Sequence, residues 1–71
     1  MNNYFLSIDK EYMNPKQEPH IRKIIRMYKG EIDGASEYAL VFSFPDKNMQ
    51  DATNDALYRF GVCASIVVNA N

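Results

Sequence analysis

Nucleophilic catalysis by a side chain needs a serine, cysteine or threonine set against a base and an orienting acid. This chain has one histidine, His20, and one cysteine, Cys63. His20 follows Pro19 at a helix start and reads as a solvated first-turn residue. Cys63 lies in the apolar run Val62-Cys63-Ala64-Ser65-Ile66-Val67-Val68. No charged neighbour there would lower its pKa, so it reads as a buried structural thiol. A zinc-type site needs clustered Cys and His ligands, and one of each does not supply them. Asp9 and Glu11 fall on a loop, and Asp51 and Asp55 lie one helical turn apart. Such carboxylate pairs serve acid–base chemistry or hold a hard cation, but on a small domain they read first as solvated faces. Gly30, Gly34 and Gly61 are isolated, so no glycine-rich phosphate loop is present. The expectation is a protein without catalysis, cofactor or metal.

The chemistry that remains is recognition. One predicted helix carries His20, Arg22, Lys23, Arg26 and Lys29, with Lys16 just before it. The other carries Asp46, Asp51 and Asp55, with Lys47 and Arg59 at its ends. A basic face could meet phosphate and an acidic one a basic partner, unless the two helices only neutralise each other. Tyr12, on a loop, and Tyr58, off the second helix's apolar stripe, are the candidate aromatic anchors, because tyrosine is enriched among interface hot spots.

The elements that must position these groups follow from hydrophobic spacing. Tyr4-Phe5-Leu6-Ser7-Ile8 alternates like a strand. Asn14-Pro15 marks the loop from Asp9 to Gln17. Glu18-Pro19 opens a helix with Ile21, Ile24, Ile25 and Tyr28 on one stripe, and Lys29-Gly30 ends it, with glycine at the left-handed stop. Residues 31–37 form a weak strand and a turn, with Asp33-Gly34 as the hairpin signal. Residues 38–44 form the strongest strand. Asp46 caps a second helix bearing Met49, Ala52, Thr53, Ala56, Leu57 and Phe60. Gly61 stops it, and Val62 to Val68 is the last strand.

This order, strand-helix-strand-strand-helix-strand, predicts a ferredoxin-like α+β sandwich with both helices on one face of an antiparallel sheet. The alternative is a three-stranded βαβαβ form in which residues 31–44 make one bent strand. The expected core is Ile24, Ile25, Tyr28, Leu40, Phe42, Leu57 and Phe60. Tyr4, Leu6, Ile8, Tyr38, Leu40, Phe42, Ile66 and Val68 would line the helix-covered face. Phe5, Ser7, Ala39, Val41, Cys63, Ser65 and Val67 would line an open face apolar enough for a partner or a homodimer.

Seventy-one residues predict one domain, 1–71, with a thin stability margin. A net charge of −1 gives no global signal for nucleic acid. A single cysteine, no apolar stretch near 18 residues and no leader-like start lead us to expect a short, complete, cytoplasmic gene product with no membrane span.

Ser36-Glu37-Tyr38-Ala39-Leu40-Val41-Phe42-Ser43 resembles the third-strand signature of RNA-recognition motifs, and Tyr4-Phe5-Leu6-Ser7-Ile8 their first. The resemblance implies RNA binding with Tyr38 and Leu40 on the open face, although Ser36-Glu37 replaces the basic-glycine pair of that family. In size, single-domain build and lack of catalytic groups the chain also resembles the small phage proteins that inhibit host defences, anti-CRISPR proteins among them. That resemblance implies a protein partner and, for a phage-encoded chain, the host cytoplasm. The expected function is therefore a non-enzymatic protein-binding module, an inhibitor or adaptor of a larger complex. The alternatives are a small RNA- or DNA-binding domain using the basic first helix, and a dimeric regulatory or small-ligand module.

Overall fold

Strand β1, Tyr4–Asp9, sets the frame of the sheet. Its alternation sends Leu6 and Ile8 into the core, both fully buried, and leaves Phe5 and Ser7 half-buried on the opposite face. The computed structural model describes residues 4–68. Strand β3, Ala39–Phe44, pairs antiparallel along all of β1, from Tyr4↔Phe44 to Asp9↔Ala39. On the other side, β4, Ser65–Val68, pairs antiparallel with β1 from Tyr4↔Val68 to Ser7↔Ser65. Strand β2, Glu31–Ala35, lies antiparallel outside β3, giving the order β2-β3-β1-β4. Helices α1, Glu18–Met27, and α2, Lys47–Phe60, cover one face. Ile21, Ile24 and Ile25 of α1 and Leu57 of α2 meet Leu6, Ile8, Leu40, Phe42 and Phe44 of the sheet in a single core. This is the ferredoxin-like βαββαβ sandwich. The three-stranded alternative fails because residues 31–44 fold back on themselves as two paired strands.

Local chemistry sets the helix ends. Asp46 accepts a hydrogen bond from the Met49 N–H at 2.8 Å and caps α2. The Asn14 side-chain oxygen accepts from the N–H groups of Lys16, at 3.1 Å, and Gln17, at 3.0 Å, which turns the chain into α1. Both helices stop with the same pair of reversed hydrogen bonds. In α2, Val62 N–H donates to Leu57 O and Gly61 N–H to Tyr58 O, with Gly61 left-handed at φ 97. In α1, Gly30 N–H donates to Ile25 O and Lys29 N–H to Arg26 O. Here the left-handed residue is Lys29, at φ 62, and not the expected Gly30. Gly30 answers a different need: a Cβ on it would lie 2.5 Å from Ile25 Cγ2 and 2.5 Å from Phe44 Cε1. The core comes too close for any side chain.

Several sequence expectations are corrected. Asp33-Gly34 is not the hairpin turn. It interrupts the β2–β3 register between Ile32↔Phe42 and Gly34↔Val41, as a β-bulge does. The turn lies at Ser36–Ala39, where the Ser36 hydroxyl oxygen accepts from Tyr38 N–H and Ala39 N–H at 3.2 and 3.1 Å. Tyr38 therefore stands outside β3 and is 75% exposed, while Leu40 faces the helices. Neither takes the open-face position that the RNA-recognition resemblance implies. The last strand starts at Ser65, not Val62, because Val62 is drawn into the core by the α2 stop and is fully buried. The chain then leaves the core, and Cys63 is exposed, not structural. Ile66 lies opposite the buried Leu6, yet it is 52% exposed at the sheet edge. The side chain of Val68 lies outside those described. Phe60, expected in the core, lies outside it at 36% exposure and stacks on His20 with ring centroids 4.2 Å apart. Among the described residues no helix is long and apolar enough to cross a membrane.

Candidate functional site

The first helix delivers its basic residues in two groups. Arg22 and Arg26 are one turn apart and point to the same side of α1. Lys23 is exposed on the neighbouring side, and Lys29 is exposed just past the helix end. Arg22 pairs loosely with Glu18, Nε to Oε2 at 3.7 Å. Among the described residues no carboxylate lies within ion-pair distance of Lys23, Arg26 or Lys29.

The Arg22/Arg26 side of α1 overhangs strand β2, and between them is a cleft of about 250 Å³. Ile25, Gly30, Ile32 and Phe42 line it together with the two arginines. Phe42 is 3% exposed and forms the floor, whereas Ile32 is 59% exposed. Such an arrangement accepts an apolar group against Ile25, Ile32 and Phe42. It then offers two guanidinium groups to carboxylates at the mouth.

The second helix behaves differently from the sequence expectation of an acidic face. Asp51, Asp55 and Tyr58 do share its outward stripe, and Tyr58 is 71% exposed. However, Lys47 Nζ lies 3.2 Å from Asp51 Oδ2, and Arg59 Nε lies 3.1 Å from Asp55 Oδ2. Both aspartates are thus answered within their own helix. No ion pair joins the two helices: among the described residues every ion pair links positions four apart on one helix. Tyr12 sits at the end of a short 3-10 turn, Lys10–Tyr12, half-buried and packed on the core, so it is no free-standing anchor.

A second depression, about 290 Å³, is bordered by Asp9, Lys10, Glu11, Glu37 and Tyr38. Its carboxylates do not converge, and no group of three or more His, Cys, Asp or Glu able to hold a metal occurs among the described residues. The buried polar side chains are all partnered there as well. Gln50 Nε2 donates to Phe5 O at 2.9 Å, and the Thr53 hydroxyl donates to Met49 O at 2.7 Å. Among the described residues the interior therefore offers a ligand no unanswered polar side chain.

The structure brings Arg22 and Arg26 together, and separately Asp51, Asp55 and Tyr58. It does not join these two groups or bring Tyr12 into either. Sequence reasoning missed Ile32, Gly30 and Phe42 as parts of the cleft. The Glu31-Ile32-Asp33 alternation signalled an exposed apolar residue, but nothing in the chain announced that it would lie beneath α1. No protein-family model, no curated protein and no solved structure matches the chain.

Proposed function

We propose that this protein is a non-enzymatic binding module that captures a segment of a partner protein in the α1/β2 cleft, and so acts as an inhibitor or adaptor of a larger complex. The observation that supports this reading most is the pairing of Arg22 and Arg26 with the exposed Ile32 over an apolar floor. The segment that fits carries one bulky apolar residue flanked by Asp or Glu. The apolar group supplies buried area, and the arginines supply orientation and association rate. Inhibition of a host-defence complex, as the resemblance to phage inhibitors implies, is one form of this function.

A displayed library of random peptides tests it. Selection on the wild-type chain is expected to enrich acidic residues beside a Leu, Phe or Trp. The Arg22→Glu/Arg26→Glu variant, still folded, is expected to lose those clones. Enriched peptides indifferent to both arginines would remove the cleft as the site. Lys23, Arg26 and Lys29, which have no ion-pair partner among the described residues, favour one second reading, binding of RNA or DNA along α1. Its signature is oligonucleotide affinity that falls steeply with salt, which a protein-binding cleft does not require.

A further inference from the structure

The size of the α1/β2 cleft limits what fills it. Its volume of about 250 Å³ takes one large side chain with a few polar atoms beside it, since a cavity of about 150 Å³ already holds a benzene ring. It does not continue into the core, because Ile25 and Phe44 leave no room for even a Cβ at Gly30. Arg22 and Arg26 line this same small space together with Ile25, Ile32 and Phe42. The apolar group and the acid must therefore leave the ligand at nearly the same point. An internal segment is poorly built for that. In an extended chain the residue next to the apolar one points to the opposite face, and the residue two along stands about 6–7 Å away. At a C-terminus the α-carboxylate sits on the same Cα as the side chain.

Charge selects the same group. Residues four apart on a helix have Cβ atoms about 5–6 Å apart, which lets the guanidinium groups of Arg22 and Arg26 reach a single carboxylate. Arg26 has no ion-pair partner among the described residues, and Arg22 has only Glu18, at 3.7 Å. A free amino acid fits badly, because its ammonium group would stand beside two guanidinium groups. In the last residue of a protein that nitrogen is an uncharged amide. Resting on the reading of the cleft as a peptide site, we propose that it takes the C-terminus of a partner protein. A final Leu, Ile or Phe fills the apolar part against Ile25, Ile32 and Phe42. Its α-carboxylate is held between Arg22 and Arg26, so the acid that flanks the apolar residue is the chain end itself.

Acetylated pentapeptides, randomised at the first four positions and ending in Leu or Phe, test this when made both as free acids and as amides. A third pool, also amidated, carries Asp-Leu-Glu or Asp-Phe-Glu in its interior. Each pool is passed over the immobilised whole chain, and the retained peptides are sequenced and titrated singly. Free acids are expected to be retained. The amide of the same sequence, and the free acid with Ala at its end, are each expected to bind about tenfold or more weakly. The Arg22→Gln/Arg26→Gln variant, checked for native circular dichroism, is expected to bind acid and amide alike. Acid and amide that bind wild type equally would overturn the inference, as would an acid preference that survives the loss of both arginines. Retention of the interior Asp-Leu-Glu pool alone, lost in the double variant, would overturn the chain-end inference and leave the cleft as a peptide site. No retention from any pool would overturn both.

Discussion

Lys29 and Gly30 exchange the roles that their residue types announce. The left-handed position that ends α1 is held by Lys29, and the glycine beside it is needed because Ile25 and Phe44 leave no room for a Cβ. A non-glycine residue in that conformation costs about 1–2 kcal/mol. Part of this returns when the residue is not glycine, through a less flexible unfolded chain. Lys29→Gly is therefore expected to stabilise the fold by up to about 1 kcal/mol. Gly30→Ala overpacks the core and is expected to destabilise it by roughly 1–3 kcal/mol. Urea denaturation of the two variants measures both, and equal shifts would show that the roles are not divided in this way. The -Lys-Gly- stop itself was legible from sequence, but which of the two residues is left-handed was not. Backbone sign depends on where the next strand must start, and that is a property of the whole fold. Cys63 follows the same logic: its apolar neighbours suggested burial, yet the tight stop at Gly61-Val62 spends the buried position on Val62.

At the scale of elements, legibility tracks hydrophobic periodicity. Helices α1 and α2 and strands β1 and β3 carry clear stripes or alternation, and they form where those patterns lie. Strand β2 is exposed along most of its length, so its pattern is faint and its bulge could pass for a turn. The candidate cleft was half legible for the same reason. The arginine spacing could be read on a helix, while its other wall belongs to the faint strand. Gln50 had no sequence signal at all: it lies next to Asp51 in a polar stretch, but its residue is only 4% exposed and its amide anchors α2 to the Phe5 carbonyl. Gln50→Leu removes that donor, and it is expected to cost about 1–2 kcal/mol despite the added apolar area. Asp51→Asn, one residue further on, breaks only an exposed ion pair and is expected to stay within roughly 0.5 kcal/mol. If chemical melts gave the two variants equal losses, the amide would not be an anchor.

Across the whole molecule, cohesion and recognition are assigned to different groups. Among the described residues the core of ten buried apolar side chains draws on strands β1 and β3, on both helices and on Val62, and every ion pair lies outside it on a helix surface. The charges can thus be reassigned to a partner without loosening the fold, a condition for the arginine-rimmed cleft to work as a binding site. The same division leaves stability resting on apolar contact alone. A chain of this size buries only about 60% of its unfolded surface, and its margin is of the order of 5 kcal/mol. Leu57 is fully buried at the point where α2 meets the rest of the core. Truncating such a leucine costs about 2–5 kcal/mol, from lost transfer energy and the cavity left behind. Leu57→Ala is accordingly expected to consume most of the margin and populate unfolded chain at moderate temperature. Added sodium chloride should move the wild-type melting point little, because exposed pairs four residues apart contribute only a few tenths of a kcal/mol each. Thermal melts of wild type and Leu57→Ala at low and high salt check both statements together. A wild type that loses stability steeply with salt, or a Leu57→Ala variant within about 0.5 kcal/mol of it, would mean that the surface charges hold the fold and are not available for a partner.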